Sequence, residues 1–166
     1  VVSGFYMRNA HLPARVSAEH SETAYMTRRA IDFIREAGDE PWSLHLSYIK
    51  PHWPYMVPSP YHSMYGVEDI LPAVRSDEER ADPHPVVKAF MNHGESVVLS
   101  DDAARQNVIP TYMGLVKEID DHVGHLMTAL SDLGRSGDTL IVLTSDHGDY
   151  LGDHWLGEKE LFHEPS

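Results

Sequence analysis

The chain has 166 residues, with 13 Lys and Arg against 26 Asp and Glu, a formal net charge of −13. That balance argues against nucleic acid or an anionic membrane as partner, since phosphate surfaces are held by a surplus of basic side chains. A composition of 42% hydrophobic and 23% charged residues suits a single globular domain, and the absence of cysteine removes any disulfide framework. No apolar run reaches membrane-spanning length and the N-terminus has no signal-peptide pattern, so the expected location is the cytoplasm.

Residues 1–16 read as a short extended piece and a loop. Ser17–Gly38 follows as a helix, with Ser21 as N-cap, Glu22 in the first turn and Gly38 as the stop. Its apolar side is expected to carry Ala24, Met26, Ala30, Ile31, Phe33 and Ile34, with Arg28, Arg29 and Glu36 outward. In Pro41–Ile49 the residues Trp42, Leu44, Leu46 and Tyr48 alternate with polar positions, the pattern of a strand. The strand ends in Lys50-Pro51-His52-Trp53-Pro54-Tyr55, where two prolines bar both helix and ladder pairing. His52 is therefore held on a stiff loop at a strand end, whether to do chemistry or only to bond the loop's own backbone.

Residues 56–101 form a long irregular excursion rich in Pro and Gly, with a helical turn or two around Val86–His93. Tyr55, Tyr61, His62 and Tyr65 are placed to line a pocket wall, although packing alone explains any one of them. A second helical region runs from Asp101 or Asp102 to about Gly134. Its apolar stripe reads as Tyr112, Val116, Ile119, Val123, Leu126, Leu130 and Leu133. Pro110 should kink this region or begin a second helix. Glu118, Asp120, Asp121 and His122 lie off the stripe and read as a solvated face.

After a turn at Gly134–Gly137, Leu140–Leu143 has the pattern of a short strand buried on both faces. It breaks into Thr144-Ser145-Asp146-His147-Gly148-Asp149, a carboxylate beside an imidazole just past a strand's carboxyl end. Working groups of open α/β sheets lie at such places. Gly148 supplies the break in extended backbone that would let Asp146 and His147 face one divalent cation; the alternative is an acidic loop in which Asp146 caps a turn and His147 is merely polar. Asp149, Asp153 and His154 continue the cluster. Lys159 follows thirteen positions after Asp146, the counter-charge that a tetrahedral oxyanion ester needs. The order β–α–β–loop–α–β indicates an α/β sandwich with a mostly parallel sheet, and nothing marks a second domain within residues 1–166.

The run SDHGDYLGDHWLGEKELFHEPS resembles the C-terminal signature of the sulfatase and phosphonate monoester hydrolase family of the alkaline phosphatase superfamily. LHLSYIKPHWPY resembles the same family's strand followed by Pro-His-x-Pro. The resemblance implies an alkaline phosphatase-like three-layer α/β/α sandwich, incomplete here. It implies metal ligation by Asp146 and His147, and contact of Lys159 and His52 with the transferred or leaving group of a small anionic ester. It further implies a divalent metal (Mn, Ca, Zn or Mg), with the histidine favouring Mn, Fe or Zn, and a formylglycine nucleophile.

The chain departs from the family pattern in two respects. His11-Leu-Pro-Ala-Arg15 has the proline and arginine spacing of the nucleophile segment, but a histidine cannot become formylglycine. The aspartate-rich metal loop that precedes that segment in relatives is also missing. The chain therefore reads as part of a longer hydrolase of sulfate or phosphonate/phosphate esters, itself inactive, with a homo-oligomer as one expectation for the full-length parent. Two alternatives stand beside this. One is a nucleotide pyrophosphatase/phosphodiesterase-like member, for which His163 is a poor further ligand; the other is a non-catalytic metal-binding module.

Overall fold

In a computed structural model of the chain, residues 7–159 and residue 161 are described, so His163 lies outside them. Helix α1 spans Glu22–Ala37. The Ser21 hydroxyl accepts from the amide of Ala24 at 3.1 Å, and the chain leaves the helix at Gly38 with φ 56°. A left-handed φ of this kind costs glycine little, which is why the helix stops there. The buried face of α1 is Thr23, Ala24, Thr27, Ala30 and Ile34, with Phe33 left exposed. The two threonines replace expected aliphatic contacts for a reason: the Thr27 hydroxyl bonds the Thr23 carbonyl at 2.9 Å and the Tyr48 hydroxyl at 2.6 Å. This pins the following extended segment to the helix.

That segment keeps its expected alternation. Trp42, Leu44, Leu46 and Tyr48 are half-buried, while Ser43, His45, Ser47 and Ile49 are exposed. It forms no ladder, and no strand occurs among the described residues. The same holds at Leu140–Leu143, where the expectation of a strand buried on both faces is overturned. Leu140 is 89% exposed and Val142 77%. A strand is buried on both faces only when neighbouring strands and covering layers are present, and none of the described residues supplies them.

The excursion carries three short helices: α2 (Glu78–Ala81), α3 (Pro85–Met91) and α4 (Gly94–Leu99). Helix α5, Asp102–Asp132, is a single element ~46 Å long at the usual rise per residue. Pro110 lies inside it and neither splits it nor starts another helix. An interior proline costs ~3 kcal/mol or more; here it is offset where the helix is buried against the N-terminal segment. The Thr111 hydroxyl donates to the Ala10 carbonyl at 2.7 Å, and Ala10 is fully buried.

The buried face of α5 includes Arg105, Val108, Thr111, Leu115, Glu118 and Leu130, and so meets the predicted stripe at Leu130 but departs from it elsewhere. Val116 and Leu133 of that stripe are exposed, whereas Glu118, read as part of a solvated face, is 2% exposed. Periodicity locates an apolar side, but the partners present decide which side is covered. The core gathers Met7, Ala10, Tyr55, Val57, Leu99, Val108 and Leu115 beneath the His52 loop.

Candidate active site

Three stretches build the site: the Pro-rich loop around His52, the turn at Asp146–Asp149, and the return from Tyr150 to Lys159. In the first, Lys50 folds back so that its ammonium donates to the carbonyls of His52 at 3.0 Å and Pro54 at 2.8 Å. Burial pushes the Lys50 pKa down, opposed by the carboxylates of Glu22 and Glu118. His52 Nδ1 lies 2.7 Å from the Trp53 carbonyl. A carbonyl only accepts, so Nδ1 carries the proton and Nε2 presents a lone pair. Lys159 Nζ stands 3.0 Å from that Nε2, across 107 positions of sequence. His52 thus bonds its own loop's backbone and also meets the lysine.

At the second stretch, Asp146 Oδ1 accepts from the His147 amide at 2.9 Å. Asp146 Oδ2 lies 3.4 Å from His147 Nε2, with the Asp146 side chain 85% exposed. His147 Nδ1 bonds the Gly148 carbonyl at 2.7 Å, which leaves its Nε2 lone pair beside the carboxylate. Donors at ~2.1 Å around a tetrahedral ion stand ~3.4 Å apart, so this oxygen–nitrogen pair fits one edge of such a shell. Among the described residues no group of three or more His, Cys, Asp or Glu side chains converges on a metal position. The pair by itself makes no closed metal site among the described residues.

The remaining acidic and imidazole groups of this region do not extend the pair. Asp149 turns inward: its Oδ2 accepts from the Tyr55 hydroxyl at 2.5 Å, and its Oδ1 from the amides of Leu151 and Glu158 at 3.0 and 3.1 Å. Burial, then the Asp149 carboxylate, push the Tyr55 pKa far above the ordinary tyrosine range, so the hydroxyl remains a donor. Asp153 accepts from the Val74 amide at 2.9 Å, and His154 pairs with Glu79 at 2.7 Å. These last two fasten the excursion to the return loop. Neither role is visible in sequence, since each partner is more than 70 positions away.

The return loop is tightly held. Leu151, His154, Trp155 and Glu158 all have left-handed φ, an uncommon conformation outside glycine. At Gly152, φ 96°, a Cβ would come within 2.5 Å of the Leu99 carbonyl and 2.7 Å of the Arg105 side chain. Arg105 Nε in turn donates to the Leu151 carbonyl at 2.9 Å. A depression of about 620 Å³ beside this loop is lined by Leu71, Arg75, Asp102, Arg105 and Trp155 and contains none of the four candidate residues. Its arginines are engaged with Asp102 and with backbone carbonyls, so it supports the loop from behind. Tyr61 packs against the core and donates to Asp121 at 3.0 Å. Burial and that carboxylate raise its pKa to about 12.

Comparison with known proteins defines the class. The sulfatase family profile matches residues 3–165. The chain is 36% identical to the multifunctional alkaline phosphatase superfamily protein PehA of Trinickia caryophylli, over 87% of this chain and 30% of that protein. It is 30% identical to an arylsulfatase of Clostridium perfringens, again over 87% of this chain and 30% of the relative. Its structure superposes on the phosphonate monoester hydrolase of Silicibacter pomeroyi with a TM-score of 0.84 at 31% identity, covering 93% of this chain and 33% of that one. The chain belongs to the sulfatase family, within the alkaline phosphatase superfamily of hydrolases. It shares the fold of these enzymes over the part it spans, about 30% of the length of the curated relatives it matches.

Proposed function

We propose that this chain contributes the metal-binding and charge-stabilising side chains of a hydrolase acting on sulfate or phosphonate/phosphate esters. The observation that carries the reading is the meeting of Lys159 and His52 at 3.0 Å, two groups that only folding brings together. An ammonium here stabilises negative charge on the oxygens of a transferred sulfuryl or phosphoryl group. His52, at the same point, presents its Nε2 lone pair to the Lys159 ammonium, and it can pass a proton to the leaving oxygen only after Nε2 has taken one up. Asp146 and His147 would hold a divalent ion, which supplies Lewis acidity toward the ester oxygens and the nucleophile. The attacking group is expected outside these residues: the chain has neither a cysteine nor a Ser-x-Pro-x-Arg segment from which a formylglycine would arise.

The test is steady-state kinetics of the full-length protein on an aryl sulfate, a phosphonate monoester and a phosphodiester. Lys159→Ala and His52→Ala are each expected to lower kcat by about 10²–10³-fold, the usual loss of one preorganised charge-stabilising group. Asp146→Asn is expected to lower bound metal measured by elemental analysis. A wild-type protein inert on all three esters, or variants with unchanged kcat, would refute the proposal.

A further inference from the structure

We propose that Tyr55 and Asp149 form a positioning pair that aims Lys159 at His52; this rests on the ester-hydrolase reading above. One carboxylate ties together the three stretches that carry the candidate groups. Asp149 lies two positions past His147, Tyr55 three past His52, and Glu158 immediately before Lys159. The Tyr55 hydroxyl donates to Asp149 Oδ2 at 2.5 Å, while Oδ1 takes the amides of Leu151 and Glu158.

The anchor for this arrangement is the core. Tyr55 is 1% exposed, and its ring stands edge-on to Tyr112 at 6.0 Å, so its hydroxyl is fixed in place. The product is the backbone reversal at Glu158, whose φ of 59° is unfavourable for a side-chain-bearing residue. Bonds on both sides hold it: the Glu158 amide to Asp149, and the Glu158 carbonyl from the Tyr150 amide at 2.8 Å. Release of the amide lets Glu158 return to a negative φ, and Lys159 then swings away from the imidazole. The hydrogen bonds of Tyr55 and Asp149 go to each other and to the amides of Leu151 and Glu158, so the pair acts through the backbone that carries Lys159.

The experiment uses the full-length protein and pairs kinetics with amide hydrogen exchange. Tyr55→Phe keeps the packed ring and removes only the hydroxyl. Asp149→Ala removes every bond, whereas Asp149→Asn keeps the Oδ1 acceptor and offers an amide N–H to the Tyr55 oxygen. Tyr55→Phe and Asp149→Ala are expected to lower kcat by about 10–100-fold with KM within about twofold, the scale of a small misplacement of a catalytic group. Asp149→Asn should recover most of that loss. In a Lys159→Ala background, Tyr55→Phe should cost less than about threefold, because the group it positions is gone. Exchange at the Leu151 and Glu158 amides should accelerate in Tyr55→Phe and Asp149→Ala and stay slow in Asp149→Asn.

Equal kcat losses from Tyr55→Phe with and without Lys159, or unchanged exchange at Glu158, would overturn the inference while leaving the hydrolase reading intact. A wild-type protein without ester hydrolysis would sink that reading instead. The exchange measurement would still decide whether the pair holds the Glu158 turn.

Discussion

Glu118 shows how one side chain can set the pH response of the fold. Its carboxylate is buried in α5 with Oε1 unpartnered, supported by a hydrogen bond from Ser21 and by the nearby Lys50 ammonium. Burial outweighs both and pushes the pKa up from the ordinary 4.5. Above 4.5, the folded protein therefore binds more protons at this site than the unfolded chain does. Its contribution to stability is full below 4.5 and is lost as pH rises through the elevated folded value. Glu118→Gln is expected to flatten that decline, so that urea midpoints between pH 5 and 8 vary less than in the wild type. A steeper decline in the variant would contradict the assignment. At the site itself the same scale of reasoning applies to His52, whose Nδ1 bond to a carbonyl decides which nitrogen faces Lys159.

Among the elements, α1 is held at its start by a residue serving two partners. Ser21 caps the helix through the Ala24 amide and also bonds Glu118 of α5. Ser21→Ala removes the cap and leaves the buried carboxylate without that donor, a loss expected at about 1–2 kcal/mol by urea denaturation. Ser21→Asn, which can still cap, should cost less. The extended Leu140–Leu143 segment is the opposite case, with apolar side chains facing solvent. Val142→Thr is expected to change stability of the 166-residue chain by less than about 0.5 kcal/mol, as is usual for exposed positions. It should also reduce self-association seen by light scattering, since an unpaired apolar extended segment invites intermolecular pairing.

For the whole molecule, the chain spans about 30% of the length of its curated relatives and contains no cysteine. The 166-residue chain alone is accordingly expected to hold divalent metal weakly and to turn over none of the three esters at enzymatic rates, whereas the full-length protein does both. Covalent catalysis needs an activated nucleophile within reach, and its loss forfeits many powers of ten. Elemental analysis and parallel assays of the two forms, with Mn and Ca supplied, check this; tight stoichiometric metal or turnover near the full-length rate in the short chain would refute it. Among the described residues no helix is long and apolar enough to cross a membrane.

Local sequence determined what depends on neighbours along the chain. The Ser21 cap and Gly38 stop of α1 are legible because capping and left-handed φ are properties of single residues and their immediate amides. The alternation at Trp42–Tyr48 is legible because a strand's period is two whether or not it is paired. Motif likeness led to the family and to His52, Asp146, His147 and Lys159 as candidates. Tertiary structure alone decided the rest. It turned Asp149 from a presumed member of the acidic cluster into the bond that joins three stretches. It buried Glu118 while exposing Val116 and Leu133 of the predicted stripe, and it left Leu140–Leu143 uncovered. These outcomes depend on which surfaces lie opposite each other in space. A periodic pattern shows that a face is apolar or polar, but not what is packed against it.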